Sequence, residues 1–509
     1  MNSPCAQDEK KALPPLRGAL RVRVVLVRLQ QLVLFLRYAG VSGLMIHRNA
    51  GILRRKAAHK VKIIDNYVIV DANDSYKQSI LINTLYSTIY ILSNDETKQF
   101  RNWVSKKEIV VSSDIETNLL MKLDEAGFVV DGCDRENEII NEITTRIRQW
   151  HKKRQKDHLV VFVLTYNCNF SCPYCYEDSY HSSTKILTEQ MVDKVFDLYK
   201  NRMEYITFYG GEPLLPETME IIRYISEKAP YAIYNVTTNG YHLTDYYDLL
   251  SNLSLSNIMV TMDGSRETHN KTRIHRSGVD TYEKVYQGID LYLRSSIPMT
   301  IRMNISNDNL DQCLKLRDGL IREYKTQFDN GVLKFELQPQ LQLAIEARQK
   351  LNDWLLFDTG GNAGIPNKYN MMSLSVSPIL REFINSSNKK NVQKYCFCDA
   401  QCNRRYYDAE GNIYSCILAL KNTHATIGKY YPQLCMKKDS MISRNIETVA
   451  KCADCKLKFI CGGGCSNKIM DKNGNVFKPN CDDIRNEVYN ELPRLFRKYT
   501  ERPFSGVPK

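Results

Sequence analysis

Between residues 158 and 340 the hydrophobic pattern alternates between two periods. Short apolar runs predict strands at Leu159–Leu164, Tyr205–Tyr209, Ala232–Thr237, Asn257–Met262, Met299–Ile305 and Leu333–Leu337. Amphipathic stretches with the helical repeat lie between them, for example Glu189 to Tyr199 and Tyr282 to Leu293. Strands alternating with helices predict βαβ units on a parallel sheet, so the fold class is α/β. Six units in this span suit a partial (β/α)6 barrel, in which chemistry sits at the C-terminal strand ends.

Residues 61–157 read as a separate small α+β unit. Tyr67 to Val70 predicts a strand, and Ile80 to Leu92 is a single apolar stretch that contains Asn83 and Thr84. Ser93-Asn94-Asp95-Glu96 is a helix-start signal, and a second helix, Ser113 to Ala126, ends at a capping Gly127. The strand Phe128 to Val130 and an acidic helix running into Lys152–Lys156 follow. This layout predicts a winged-helix-like unit, either a peptide-binding module or a structural cap. Residues 1–60 contain the apolar run Leu20 to Tyr38, broken by Arg21, Arg23, Arg28 and Arg37. Arginines are costly in a bilayer, and no small-residue cleavage site follows, so a poorly ordered extension is expected rather than a membrane span or signal peptide. Residues 346–395 form a connector between a core at 158–345 and a cysteine-rich unit at 396–509.

Charge and cysteines sharpen this picture. The net charge is +13, but residues 1–60 alone carry 12 basic residues against Asp8 and Glu9. The remainder has 58 basic and 55 acidic residues, so the body is near neutral and no nucleic-acid partner is implied. The chain has 16 cysteines. They are grouped at metal-ligand spacings rather than spread as in small disulfide proteins, which predicts a reducing, cytoplasmic setting.

Directly after the first predicted barrel strand, TYNCNFSCPYCY presents Cys168, Cys172 and Cys175 as C-x3-C-x2-C, with Tyr174 before the third cysteine. Three thiolates so close on one loop can hold three irons of a [4Fe–4S] cluster and leave the fourth open. They make a poor closed zinc site, because no fourth ligand is near. The loop resembles that of the radical S-adenosylmethionine (radical SAM) superfamily. The resemblance implies that Gly210-Gly211-Glu212-Pro213 after the second strand meets the cofactor's methionine amino group. Thr238-Asn239-Gly240 after the third strand, and Thr261-Met262-Asp263-Gly264 at the fourth, also look like that family's pattern. Arg273 and Arg302 are both candidates for pairing the cofactor's carboxylate.

A second resemblance covers residues 396–481. Cys398 is followed by Gly411 and Cys416; then Cys452, Cys455, Cys461 and Cys465 run as C-x2-C-x5-C-x3-C, with Cys481 last. This resembles the SPASM extension of radical SAM enzymes, which holds two auxiliary [4Fe–4S] clusters. It implies one cluster at Cys452, Cys455, Cys461 and Cys481, and another at Cys398, Cys402, Cys416 and Cys465, with Cys396 competing for a place. The resemblance further implies reductive cleavage of S-adenosylmethionine to a 5′-deoxyadenosyl radical, with a reductant such as flavodoxin or ferredoxin. A precursor peptide or protein is the implied substrate, joined by a thioether or carbon–carbon cross-link. Two alternatives are an anaerobic sulfatase maturase and a non-catalytic iron–sulfur carrier. The first is disfavoured because Ile417 stands where that family places an aspartate after the cysteine.

Overall fold

The computed structural model describes residues 61–155, 159–177, 183–200, 203–340, 346–347, 349–351, 393–402 and 404–500. The expectations for residues 1–60 and for nearly all of the connector lie outside the described residues.

The chain enters through strand β1 (Val61–Ile63), followed by β2 (Tyr67–Asp71), β3 (Ser79–Asn83) and β4 (Thr88–Leu92), the last three forming an antiparallel sheet in sequence order. The apolar stretch Ile80–Leu92 is therefore two strands of a hairpin. Asn83 causes the turn: its side-chain oxygen accepts from the Leu85 and Tyr86 backbone N–H groups at 3.0 and 3.2 Å. Helix α1 (Asn94–Lys106) starts at Ser93, where Ser93 and Glu96 form the reciprocal box that satisfies two otherwise orphaned N–H groups. Helix α2 (Asp114–Glu125) leads through Gly127, at φ 78°, to β5 (Val129–Asp131), which pairs antiparallel with β1. Helix α3 (Gly132–Arg154) follows. Its buried Glu136 accepts from the Asp65 and Asn66 backbone N–H groups and pairs with Lys62, fixing the helix to the β1–β2 turn.

The small sheet is sandwiched. Val68, Val70, Ile80 and Ile82 join the barrel's hydrophobic core. Leu81 on the other face packs with Phe100, Trp103 and the apolar faces of α2 and α3. That second core also takes in Ile446, Val449, Cys452 and Phe459, so the N-terminal unit and the cysteine-rich region bury one another's apolar surface.

The barrel strands are β6 (Leu159–Val163), β7 (Tyr205–Tyr209), β8 (Ile233–Thr238), β9 (Leu255–Thr261), β10 (Met299–Ile305) and β11 (Leu333–Pro339), all parallel and adjacent in chain order. Helices α4 (Glu189–Tyr199), α5 (Met219–Lys228), α6 (Tyr282–Arg294) and α7 (Leu310–Glu323) pack on the sheet. On α4 the buried positions Met191, Val192, Val195 and Phe196 follow the helical repeat, and each is stabilised by about 1.5–3 kcal/mol on full burial. The sheet does not stop at β6. Its other edge pairs in parallel with β12 (Arg404–Asp408), and β13 (Asn412–Tyr414), β14 (Thr426–Lys429) and β15 (Cys435–Met436) extend it to ten strands. Among the described residues, no helix is long and apolar enough to cross a membrane.

The cysteine-rich region has little regular structure and is organised by one buried cation. Arg444 is fully buried and donates to the backbone carbonyls of Val476, Gly464, Gly463 and Lys478, while Gln401 donates to its own carbonyl at 2.9 Å. The buried Val476 and Gly464 carbonyls need such a donor, while the Gly463 carbonyl also accepts from Asn480 N–H at 3.2 Å. Arg444→Leu is expected to cost about 3 kcal/mol or more, because it strands several acceptors and removes charged hydrogen bonds. Thermal unfolding of the intact chain checks this, and a curve superimposable on the wild type would show that the guanidinium is dispensable.

Candidate active site

The cysteine loop leaves β6 at its C-terminal end and is gripped from four directions. On the β7 side, the Gly211 and Glu212 N–H groups donate to the Thr165 and Asn167 carbonyls, both at 2.9 Å. A Cβ on Gly210 would lie 2.3 Å from the Thr165 carbonyl oxygen, and one on Gly211 would lie 2.4 Å from that of Asn167. The two glycines are thus required by the approach of the loop's own backbone. On the β12 side, the Tyr166 hydroxyl donates to the buried Asp408 carboxylate at 3.0 Å. Further along, Ser171 N–H donates to the Ile274 carbonyl and Arg276 N–H to that of Asn169. Last, the Tyr174 hydroxyl bonds Asp263 at the end of β9 and receives the Asn304 amide of β10 at 3.2 Å.

Glu212 ties together the second and third strand ends. Its buried carboxylate accepts from Leu214 N–H at 2.9 Å, Thr238 Oγ1 at 2.6 Å and Asn239 N–H at 2.6 Å. Asn239 in turn donates to Asn169 Oδ1 at 2.7 Å, within the cysteine loop. Pro213 follows, its carbonyl accepting from the Thr218 hydroxyl. Burial pushes the Glu212 carboxyl up, against these three hydrogen bonds. Thr261 is buried at the end of β9, beside the Asp263 turn.

The two candidate arginines separate clearly. Arg302 pairs with Glu336 of β11 at 3.0 Å. Arg273 is buried beside the cysteine loop, 5.3 Å above the Phe170 ring, with its guanidinium donating to the Tyr174 hydroxyl at 3.3 Å. Its Nε has no hydrogen-bond partner, and neither has the nearby Asn169 Nδ2. Buried donors are nearly always satisfied, so these two orphans, one within the cysteine loop and one beside it, point to a ligand that accepts hydrogen bonds.

Burial, reinforced by the Glu212 carboxylate, pushes the Cys168 thiol up to about 12, and burial pushes Cys175 up to about 11. Metal binding at these thiols must therefore release protons. Two thiolates on one tetrahedral ion sit about 3.8 Å apart, given metal–sulfur bonds of about 2.3 Å. Among the described residues, Cys168, Cys172 and Cys175 do not form a triad with all sulfurs within 4.8 Å.

In the C-terminal region, Cys452 lies close enough to Cys455 and Cys481, and Cys461 to Cys452 and Cys455, that the charges of these thiolates would repel. Cys398, Cys416 and Cys465 form a second such set. Arg444 sits where it feels both sets, through Cys452, Cys461, Cys465 and Cys398. Cys402 turns instead toward Cys396, 3.5 Å away. The sequence reading did not single out Arg444, Asp408 or Asn304. It also passed over Glu177, a buried carboxyl held up at about 8 by desolvation beside the Tyr176 and Tyr209 hydroxyls, with one oxygen unpartnered. A glutamate two residues past the last loop cysteine was the available signal.

The family model described as "Radical SAM superfamily" matches residues 162–318. A probable GTP 3′,8-cyclase of Saccharolobus islandicus is 29% identical over 156 residues, covering 30% of this chain and 49% of that protein. The sporulation killing factor maturation protein SkfB of Bacillus subtilis is 28% identical over 209 residues, covering 38% of this chain and 50% of SkfB. The chain thus spans about half the length of these curated relatives. Among solved structures, Streptococcus suis SuiB bound to its precursor peptide SuiA aligns over 82% of this chain and 99% of SuiB, with TM-score 0.44 and 15% identity. With its cysteine loop at the head of a six-stranded parallel barrel and the family model matched across it, the segment 162–318 is a radical SAM domain.

Proposed function

We propose that this protein reductively cleaves S-adenosylmethionine and uses the product to modify a peptide or protein, forming a thioether or carbon–carbon cross-link in a ribosomally made precursor. The observation that carries the reading is the convergence of Cys168, Cys172 and Cys175 with Glu212, Asn239, Asp263 and Arg273 at successive strand ends. Here the three cysteines would hold a [4Fe–4S] cluster, which when bound would supply the electron for reductive cleavage of S-adenosylmethionine to methionine and a 5′-deoxyadenosyl radical. Arg273, with its unpartnered Nε, is the group fitted to a cofactor carboxylate. The Glu212 carboxylate holds two strand ends and the loop in register, and Tyr174 is kept in place by Asp263 and Asn304. The two C-terminal sets, Cys452, Cys455, Cys461 and Cys481, and Cys398, Cys416 and Cys465, would hold auxiliary clusters.

Peptide modification is supported by SkfB, a maturation protein by name, among the relatives. Formylglycine formation with a base after Cys416 has no residue to perform it, since Ile417 packs in the apolar cluster of Tyr166, Tyr209 and Tyr406. A bare electron carrier would need no buried arginine presenting a free donor at the loop. A reducing cytoplasmic compartment and a flavodoxin- or ferredoxin-type donor complete the proposal.

The test is anaerobic reconstitution of the full chain, which should yield about twelve cluster irons. Replacing Cys168, Cys172 and Cys175 together by Ala should remove about four of them and abolish 5′-deoxyadenosine formation. Unchanged iron, or cleavage that persists, would reject the assignment. Arg273→Ala is expected to weaken S-adenosylmethionine binding by about 10–100-fold, the range of a lost charged hydrogen bond, whereas Arg302→Ala should alter it by less than about 3-fold. Equilibrium binding distinguishes the two arginines.

For the N-terminal unit, the proposed role is to hold the leader of the precursor and raise the effective concentration of its core at the site. Strand β4 pairs only with β3 among the described strands, and its residues 88–91 are half-buried, so its outer edge suits pairing with an extended peptide. Deleting the unit would uncover the core it shares with Ile446 and Phe459, so a milder probe is required. A precursor carrying a photo-crosslinking group in its leader should attach to residues 88–92; attachment confined to the barrel mouth would leave the unit as a structural cap.

A further inference from the structure

One more set of metal-type donors converges away from the cysteine loop. His151, on the last turn of α3, has its Nδ1 at 3.3 Å from Cys402 Sγ and 3.5 Å from Cys396 Sγ, and the two sulfurs are 3.5 Å apart. Among the described residues, this is the only triad of histidine, cysteine or carboxylate donors whose ligand atoms all lie within 4.8 Å. His151 and Cys402 are buried, and Cys396 is half-buried.

The surroundings hold these donors in place. Cys396 and Cys402 bracket a short turn fixed by Gln401, whose side-chain oxygen accepts from the Phe397 and Cys398 N–H groups at 2.8 and 3.2 Å. The imidazole packs on Tyr395 with ring centres 5.1 Å apart. One turn either side on α3, Arg148 pairs with Glu447 and Arg154 with Asp399, the latter at 2.7 Å, so the helix is clamped where His151 projects. The other ring nitrogen lies 3.0 Å from the Gln155 amide nitrogen. In this orientation the amide N–H donates to Nε2; an ion bound at Nδ1 requires the amide to turn, so that Nε2–H donates to its oxygen and the Nδ1 lone pair faces the two sulfurs.

Two thiolates and an imidazole on one tetrahedral ion are separated by about 3.5–3.8 Å, from bond lengths of about 2.3 Å to sulfur and about 2.0 Å to nitrogen. The observed separations match that scale. A [4Fe–4S] cluster instead takes each protein ligand on a separate iron. We propose that His151, Cys396 and Cys402 bind a single borderline divalent ion, Zn2+ or Fe2+, in an open site whose fourth position is left to a non-protein ligand, and that the ion fastens α3 to the cysteine-rich region. The ion site stands on its own geometry; it rests on the function proposed above only in leaving Cys398, Cys416 and Cys465 to the neighbouring cluster. It would make the join between the N-terminal unit and the cysteine-rich region depend on metal as well as on apolar packing.

The test uses the full chain, reconstituted anaerobically with iron and sulfide and then given one equivalent of Zn2+. The expected result is one Zn2+ per chain, not matched by sulfide, whose X-ray absorption shows both sulfur and nitrogen neighbours. His151→Ala should weaken Zn2+ binding by at least about 10-fold. Should that variant fold poorly, His151→Cys is expected to keep the ion and lose the nitrogen signal. Zn2+ held by His151→Ala with wild-type affinity, or an all-sulfur spectrum in the wild type, would overturn the proposal. So would loss of iron and sulfide in equal numbers from His151→Ala, because the histidine would then serve a cluster. A chain that binds Zn2+ in this way but forms no 5′-deoxyadenosine would keep this site and remove the proposed function.

Discussion

Strand β6 is hydrogen-bonded in parallel along both edges, and the placement of everything else follows from that. Val163 is level with Tyr209 on one side and Asp408 on the other. The cysteine loop therefore starts from a point fixed by strands on both sides, one from the barrel and one from the C-terminal sheet. Were β6 an edge strand, the loop would be held only from the β7 side, and Tyr166 would lose the buried Asp408 carboxylate it donates to. Parallel pairing also puts the ends of β7, β8, β9 and β10 on the same side of the sheet, which is why residues from distant parts of the chain meet there.

What local pattern could reveal was legible before any coordinates. Helix α4 and strands β7 and β10 have the bounds the hydrophobic periods predict, and the Ser93–Glu96 start of α1 is as the residues suggest. The cysteine spacing likewise located the loop at a strand end. The hairpin within Ile80–Leu92 was not legible, because its turn uses neither glycine nor proline; an asparagine side chain inside the apolar run does the bending. Nor was the union of β12 with β6, since pairing across some 240 residues leaves no trace in a local period.

The site residues divide in the same way. The Gly-Gly-Glu-Pro stretch could be recognised, but its physical reason could not: the glycines admit the Thr165 and Asn167 carbonyls, and the glutamate braces two strand ends. The choice between Arg273 and Arg302 turns on a partner, Glu336, that only the fold places beside one of them. Arg444 carries no motif at all. Its importance comes from the carbonyls around it, which belong to loops with no pattern of their own.

The four-sided grip on the cysteine loop bears on whether such a loop can be moved. Its twelve residues look self-contained in the sequence, yet their backbone course is dictated by neighbours at positions 211, 263, 274, 304 and 408. Grafted alone onto another scaffold, the segment would keep its thiols and lose the conformation that spaces them. The portable module is the loop together with the rims of four neighbouring strands and the segment at 274, which is most of a barrel.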